Sequence, residues 1–151
     1  MVTLAEQAKP AMKKLLDCDE QQLYEQLGIR ARAIEKDPTK ASAFEPQITY
    51  DQNHMGIKED VYEFGENLFR RWNIEAYNLI CGSDLEDQID REGLVEAFKI
   101  DKVSVGAALS ALLATQLGLS PALAAVAAAL LIKRFFNPAY EEFCILWEKH
   151  L

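Results

Sequence analysis

The fold turns on residues 103–136, "VSVGAALSALLATQLGLSPALAAVAAALLIKRFF". From Val103 to Ile132 this run carries no charge and no aromatic ring, in a chain that is 26% charged. Gly118-Leu119-Ser120-Pro121 interrupts it. Glycine can take the left-handed conformation that closes one helix, serine can cap the next, and proline is tolerated at a first helical position. The run is therefore predicted to be two helices, residues 103–117 and 121–135, folded as a hairpin. A helix of that length spans about 22 Å, short of the roughly 30 Å hydrocarbon core of a bilayer. The run is also rich in alanine, which favours membrane insertion far less than leucine, isoleucine or phenylalanine. The buried centre of a helical bundle is the better reading.

Gly106, Ser110, Ala114 and Gly118 recur every four residues and so share one face of the first arm. Ala125 with Ala129, or Ala124 with Ala128, offers a matching face on the second. Small faces let helix backbones approach closely. The larger residues of both arms point elsewhere, so the hairpin is apolar all round and must be covered.

The rest of the chain supplies the cover. Thr3 and Glu6 have capping-box spacing, and Leu4, Ala8, Ala11, Met12, Leu15 and Leu16 follow on one side. Pro10 opposes a single helix there, which suggests a separate first turn. Asp17 and Glu20 mark the start of a second helix with Leu23, Leu27 and Ile34 on one stripe, weakened at Gly28. Ile57, Val61, Phe64, Leu68, Trp72, Ala76 and Leu79 step by three or four and predict a long helix ending at Gly82. Ser83 and Glu86 suggest another capped start, with Leu85, Ile89, Leu94, Val95 and Phe98 facing inward. Asn137-Pro138 opens a last helix that places Tyr140, Phe143, Cys144, Trp147 and Leu151 in register. Residues 37–55 have no helical period. Phe44, Ile48 and Tyr50 mark them as an extended docking arm whose alternate side chains pack on the bundle itself or on a partner.

Charge and motifs bound the function. A net charge of −8 and a pI near 4.8 argue against nucleic acid as a partner, because phosphate-backbone binding needs a basic face. Cys18, Cys81 and Cys144 fall in no metal-ligand or redox spacing, which suits free thiols in a reducing, cytoplasmic setting. Cys81 with His54 lacks the framing of a nucleophile and its base, and reads as a helix-end cysteine and a loop histidine. Asp60, Glu63 and Glu66 step by three but lack the Glu-x-x-His pairs of a bundle metal site, so they read as a solvated face. No glycine-rich phosphate loop is present, and no catalytic residue, metal or cofactor is assigned. Arg70 and Arg71, beside Trp72, are the one crowding of cations with an aromatic and form a candidate contact for an anion or an acidic partner.

The reading is an all-α, single-domain bundle of about six helices over residues 1–151, with the 103–135 hairpin at its centre. The best functional guess is a non-enzymatic interaction or regulatory module acting through a protein partner or self-association. The rival is a membrane-active protein that inserts the hairpin on release. That hairpin resembles in composition those of bacterial pore-forming toxin domains, without a shared motif.

Overall fold

A computed structural model describes residues 3–82 and 88–151, those at 88–91 by backbone alone. The Ser83–Glu86 cap and the inward settings of Leu85 and Ile89 lie outside the described residues. Every regular element that is described is helical. The α-helices are α1 (Leu4–Leu15), α2 (Glu20–Lys36), α3 (Gln52–Met55), α4 (Lys58–Cys81), α5 (Gln88–Phe98), α6 (Lys102–Thr115), α7 (Pro121–Phe135) and α8 (Tyr140–Glu148). A 3-10 segment, Pro38–Ser42, follows α2. These eight α-helices exceed the expected six or so, in part because the arm contributes the short α3.

The apolar hairpin is the centre of the bundle. In α7, Ala122 and every residue from Ala124 to Ile132 are buried, as is Phe135. This helix is enclosed by α1, α2, α6, α8 and the 3-10 segment. A helix with no polar face needs such complete enclosure, because any uncovered side would leave apolar area in water at about 25 cal/mol per Å². Gly118, at φ +78°, makes the left-handed turn that ends the first arm. Ser120 sits at the α7 N-cap position but does not cap it; its hydroxyl is buried without a hydrogen-bond partner among the described residues. Pro121, with no N–H to satisfy, starts α7 in its place.

Several local expectations change for physical reasons. Helix α1 is continuous through Pro10, which is exposed, so the carbonyl it leaves unpaired can face solvent. Helix α2 starts at Asp19 rather than Asp17. Asp19 accepts from the Gln22 N–H at 2.8 Å while the Gln22 side chain accepts from the Asp19 N–H at 3.0 Å, a complete capping box. The buried face of α4 is rotated from the expected stripe. It comprises Val61, Gly65, Leu68, Phe69, Ala76 and Ile80, while Ile57 stays 45% exposed. Gly82 ends α4 in extended conformation (φ −70°, ψ 175°), not a left-handed one.

Helices α2 and α4 cross with their backbones in close approach. A Cβ added to Gly65 would stand 1.9 Å from the Tyr24 carbonyl oxygen, and one on Gly28 would stand 2.2 Å from that of Val61. Gly28 is a contact surface rather than a weak point. The expected small-residue ladder is used only in part. Gly106 faces Met12 and Ile132, and Ser110 is buried with its hydroxyl donating to the Gly106 carbonyl at 2.8 Å. Ala114 is half-buried and Gly118 is exposed beyond the packing.

Helix α8 turns 90° from α7 and closes the end of the bundle with aromatics. Phe143 and Trp147 are fully buried, and the Trp147 indole N–H donates to Asn73 Oδ1 at 2.7 Å. Leu151, expected in this register, is 51% exposed beyond the helix end. Cys144 is joined to Cys81 by a disulfide with a Cα–Cα distance of 5.7 Å. Free thiols at all three positions were expected; only Cys18 is free. The three free thiols that would suit a reducing compartment are therefore not what the protein carries.

Candidate functional site

The arm between α2 and α4 is ordered against the bundle. From Phe44 to Tyr50 the residues alternate between covered and exposed, with Phe44, Pro46, Ile48 and Tyr50 turned inward and Glu45, Gln47 and Thr49 outward. The backbone bends at Phe44 and Glu45, and over residues 46–50 the period of two is the signature of extended chain. Phe44 is buried in the main core. Ile48 and Tyr50 pack against a smaller cluster of Ile29, Ala33, Met55 and Val61. The Tyr50 hydroxyl donates to the Gly56 carbonyl, and the Lys58 ammonium lies 5.1 Å from the Tyr50 ring centre.

Arg30 fastens the arm to the hairpin. Its side chain runs inward from α2, and Nη1 donates at 2.8 Å both to the Phe44 carbonyl and to the Ala122 carbonyl in the first turn of α7. Burial lowers its pKa to about 10, which leaves it protonated at neutral pH. Its bonds go to backbone carbonyls, which makes it a structural clamp. Replacing Arg30 with Met keeps the stem and removes both bonds. The expected cost is about 2 kcal/mol, a factor of roughly thirty in local opening. Trypsin cleavage at Lys40 under native conditions is the readout, and an unchanged rate would show that the clamp does not hold the arm.

Beside the arm lies a groove of about 730 Å³. Its floor includes Ala33, Ile48, Tyr50 and Met55, and its rim includes Lys36, Lys40, Asp37, Asp51 and His54. The acids near it are engaged locally. Asp37 accepts from the Thr39 N–H and hydroxyl, which hold its carboxyl below the usual range. Asp51 accepts from the Asn53 N–H, and Glu45 pairs with Lys14 at 2.6 Å. Lys36 and Lys40 make no ion pair among the described residues.

The other sequence candidates lie elsewhere. Arg70 is exposed on α4 and pairs with Glu66 one turn back at 3.2 Å, and Arg71 is exposed beside it. Glu66 thus serves Arg70 and also accepts weakly from the Tyr62 hydroxyl at 3.4 Å. Asp60 and Glu63 are exposed, and no group of three His, Cys, Asp or Glu among the described residues is placed to hold a metal ion. Cys81, being in the disulfide, has no thiol to serve as a nucleophile. His54 is exposed, with Nε2 3.4 Å from the Arg32 carbonyl. Burial pushes the Cys18 thiol pKa up, and the neighbouring Asp19 and Asp17 add to that, the opposite of an activated cysteine.

The arm's alternation is legible in the sequence, whereas the role of Arg30, the groove and the lysines at its rim are not. Their signal is tertiary: Arg30 reads as one more surface cation until α7 is seen beside it. No family model matches this chain, and no curated protein or solved structure is significantly similar to it.

Proposed function

We propose that this chain is a non-enzymatic helical interaction module, and that the arm at residues 44–51 with its adjoining groove is the contact face. The observation that carries the reading is the construction of the arm. Its inward side chains pack on the bundle and a buried arginine bonds to its backbone, while its outward side chains are exposed. A loop held so firmly on a scaffold is a common way to present binding groups. The Arg70/Arg71 cluster is a weaker candidate, because Arg70 is already paired on its own helix.

The test is site-specific photocrosslinking in the native lysate. A photoreactive residue replacing Gln47 or Thr49, both exposed, is expected to give a discrete adduct. The same residue at exposed Glu141 on α8 is expected to give none. An adduct of twice the chain's mass identifies self-association. No adduct from the arm, or the same pattern from Glu141, removes the reading.

A further inference from the structure

The start of α7 gathers hydrogen-bond donors that the chain leaves unused. Its first backbone bonds run from Leu123 and Ala124, both to the Ser120 carbonyl. The N–H of Ala122, a fully buried residue, donates to no described residue. The Ser120 hydroxyl is buried without a partner as well. Arg30 adds the charge. It is only 5% exposed, it forms no ion pair among the described residues, and its two hydrogen bonds both come from Nη1. Glu45 acts on it through space but is bonded to Lys14 at 2.6 Å. The neighbouring Cys18 thiol, its pKa raised by burial, stays protonated at neutral pH and brings no charge. Native interiors leave few buried donors unpaired and pair nearly every buried charge.

We infer that Arg30, the Ala122 N–H and the Ser120 hydroxyl hold a small monovalent inorganic anion, chloride in physiological salt, at the start of α7. The carbonyl that Arg30 grips and the N–H left over belong to the same residue, so the guanidinium stands within about 7 Å of that N–H. A monatomic ion between them makes one contact on each side, and Ser120, two residues before Ala122, supplies a further donor. The helix N-terminus carries about half a positive charge, which adds to that of the guanidinium. Lys14 and Glu45 offset each other, so the local sum stays positive. Burial chooses the size of the ligand. Donors this enclosed favour a bare ion over a phosphate or carboxylate, whose remaining atoms need a wider opening. The single charge of Arg30 is matched by a single negative charge. Bound there, the ion ties α2 to the apolar hairpin next to the Phe44 carbonyl, whatever the arm itself contacts.

The probe is sodium chloride, titrated into the full chain against sodium gluconate at constant ionic strength so that screening does not change. Saturable excess broadening of the chlorine NMR line is expected, together with a melting temperature that rises and levels off over the same concentrations. Arg30→Met removes the charge and is expected to weaken chloride binding at least tenfold. Ser120→Asp places a carboxylate where the N-cap side chain accepts from the first N–H groups of α7, and so fills the site from within the chain. That variant is expected to fold, to show no saturable broadening and to melt at a temperature independent of chloride. It decides the matter by itself if Arg30→Met does not fold. Absence of saturable broadening in the unaltered protein overturns the inference, since water then satisfies these donors. Undiminished broadening in Ser120→Asp overturns it too, because the ion then sits elsewhere.

Discussion

Gly65→Ala is expected to destabilise the protein by about 3 kcal/mol, whereas the same substitution at Gly93 is expected to stabilise it by about 1 kcal/mol. Both glycines lie in helices, and alanine improves intrinsic helix propensity equally at each. The difference is entirely in what the new methyl group meets. At Gly93 there is nothing within 4 Å. At Gly65 the methyl would stand 1.9 Å from the Tyr24 carbonyl oxygen and 3.1 Å from the Gly28 nitrogen. Those are backbone atoms of α2, which cannot swing aside as a flexible side chain would. The two helices must separate, and separation also strips contact from Val61 and Leu27, both buried near the crossing. Urea unfolding of the two variants checks the prediction. Equal midpoints would mean that α2 and α4 do not approach as closely as the backbone places them.

That crossing also shows what the sequence could and could not reveal. Gly28 was legible as a local weakness of α2, since a single helix carries the cost of glycine in its own propensity. Its use was not legible, because it requires Gly65 on another helix to face it. The hairpin was far easier to read. Its boundaries follow from a chain break and an absence of charge, both local, and α6 and α7 fall close to the expected spans. The start of α2 lay between. The segment from Asp17 to Gln22 contains two overlapping capping spacings, each with a suitable residue at the third helical position, and the structure forms the one from Asp19 to Gln22. Likewise the arm's period of two was visible in Phe44, Ile48 and Tyr50, but its anchoring carbonyl bond from Arg30 was not. Patterns carried along one element are read from sequence; pairings between elements are not.

The Cys81–Cys144 bond is the pairing with the largest expected effect. The two residues are 63 positions apart, and closing a loop of that size in the unfolded chain corresponds to about 4 kcal/mol. Typical domains are stable by only about 5–15 kcal/mol, so the bond accounts for a large part of the total. Reduction with a dithiol, or Cys81→Ser with Cys144→Ser, is expected to lower the melting temperature by about 10 °C, measured by circular dichroism. Phe143 and Trp147 remain as anchors of α8, so the reduced protein is expected to stay folded at room temperature. An unchanged melting temperature would mean that the two cysteines are not joined in the native protein. The same bond bears on the membrane rival. The closed loop contains α5, α6 and α7, so the bond tethers the apolar hairpin to the ends of α4 and α8 and restrains its release. Among the described residues no single helix is long and apolar enough to cross a membrane, although α7 and α8 together form a bent pair of sufficient length. A releasable hairpin predicts liposome flotation by the reduced protein and none by the oxidised one. An interaction module predicts none from either, because α7 is a core helix whose surroundings bury it whether or not α8 is tethered.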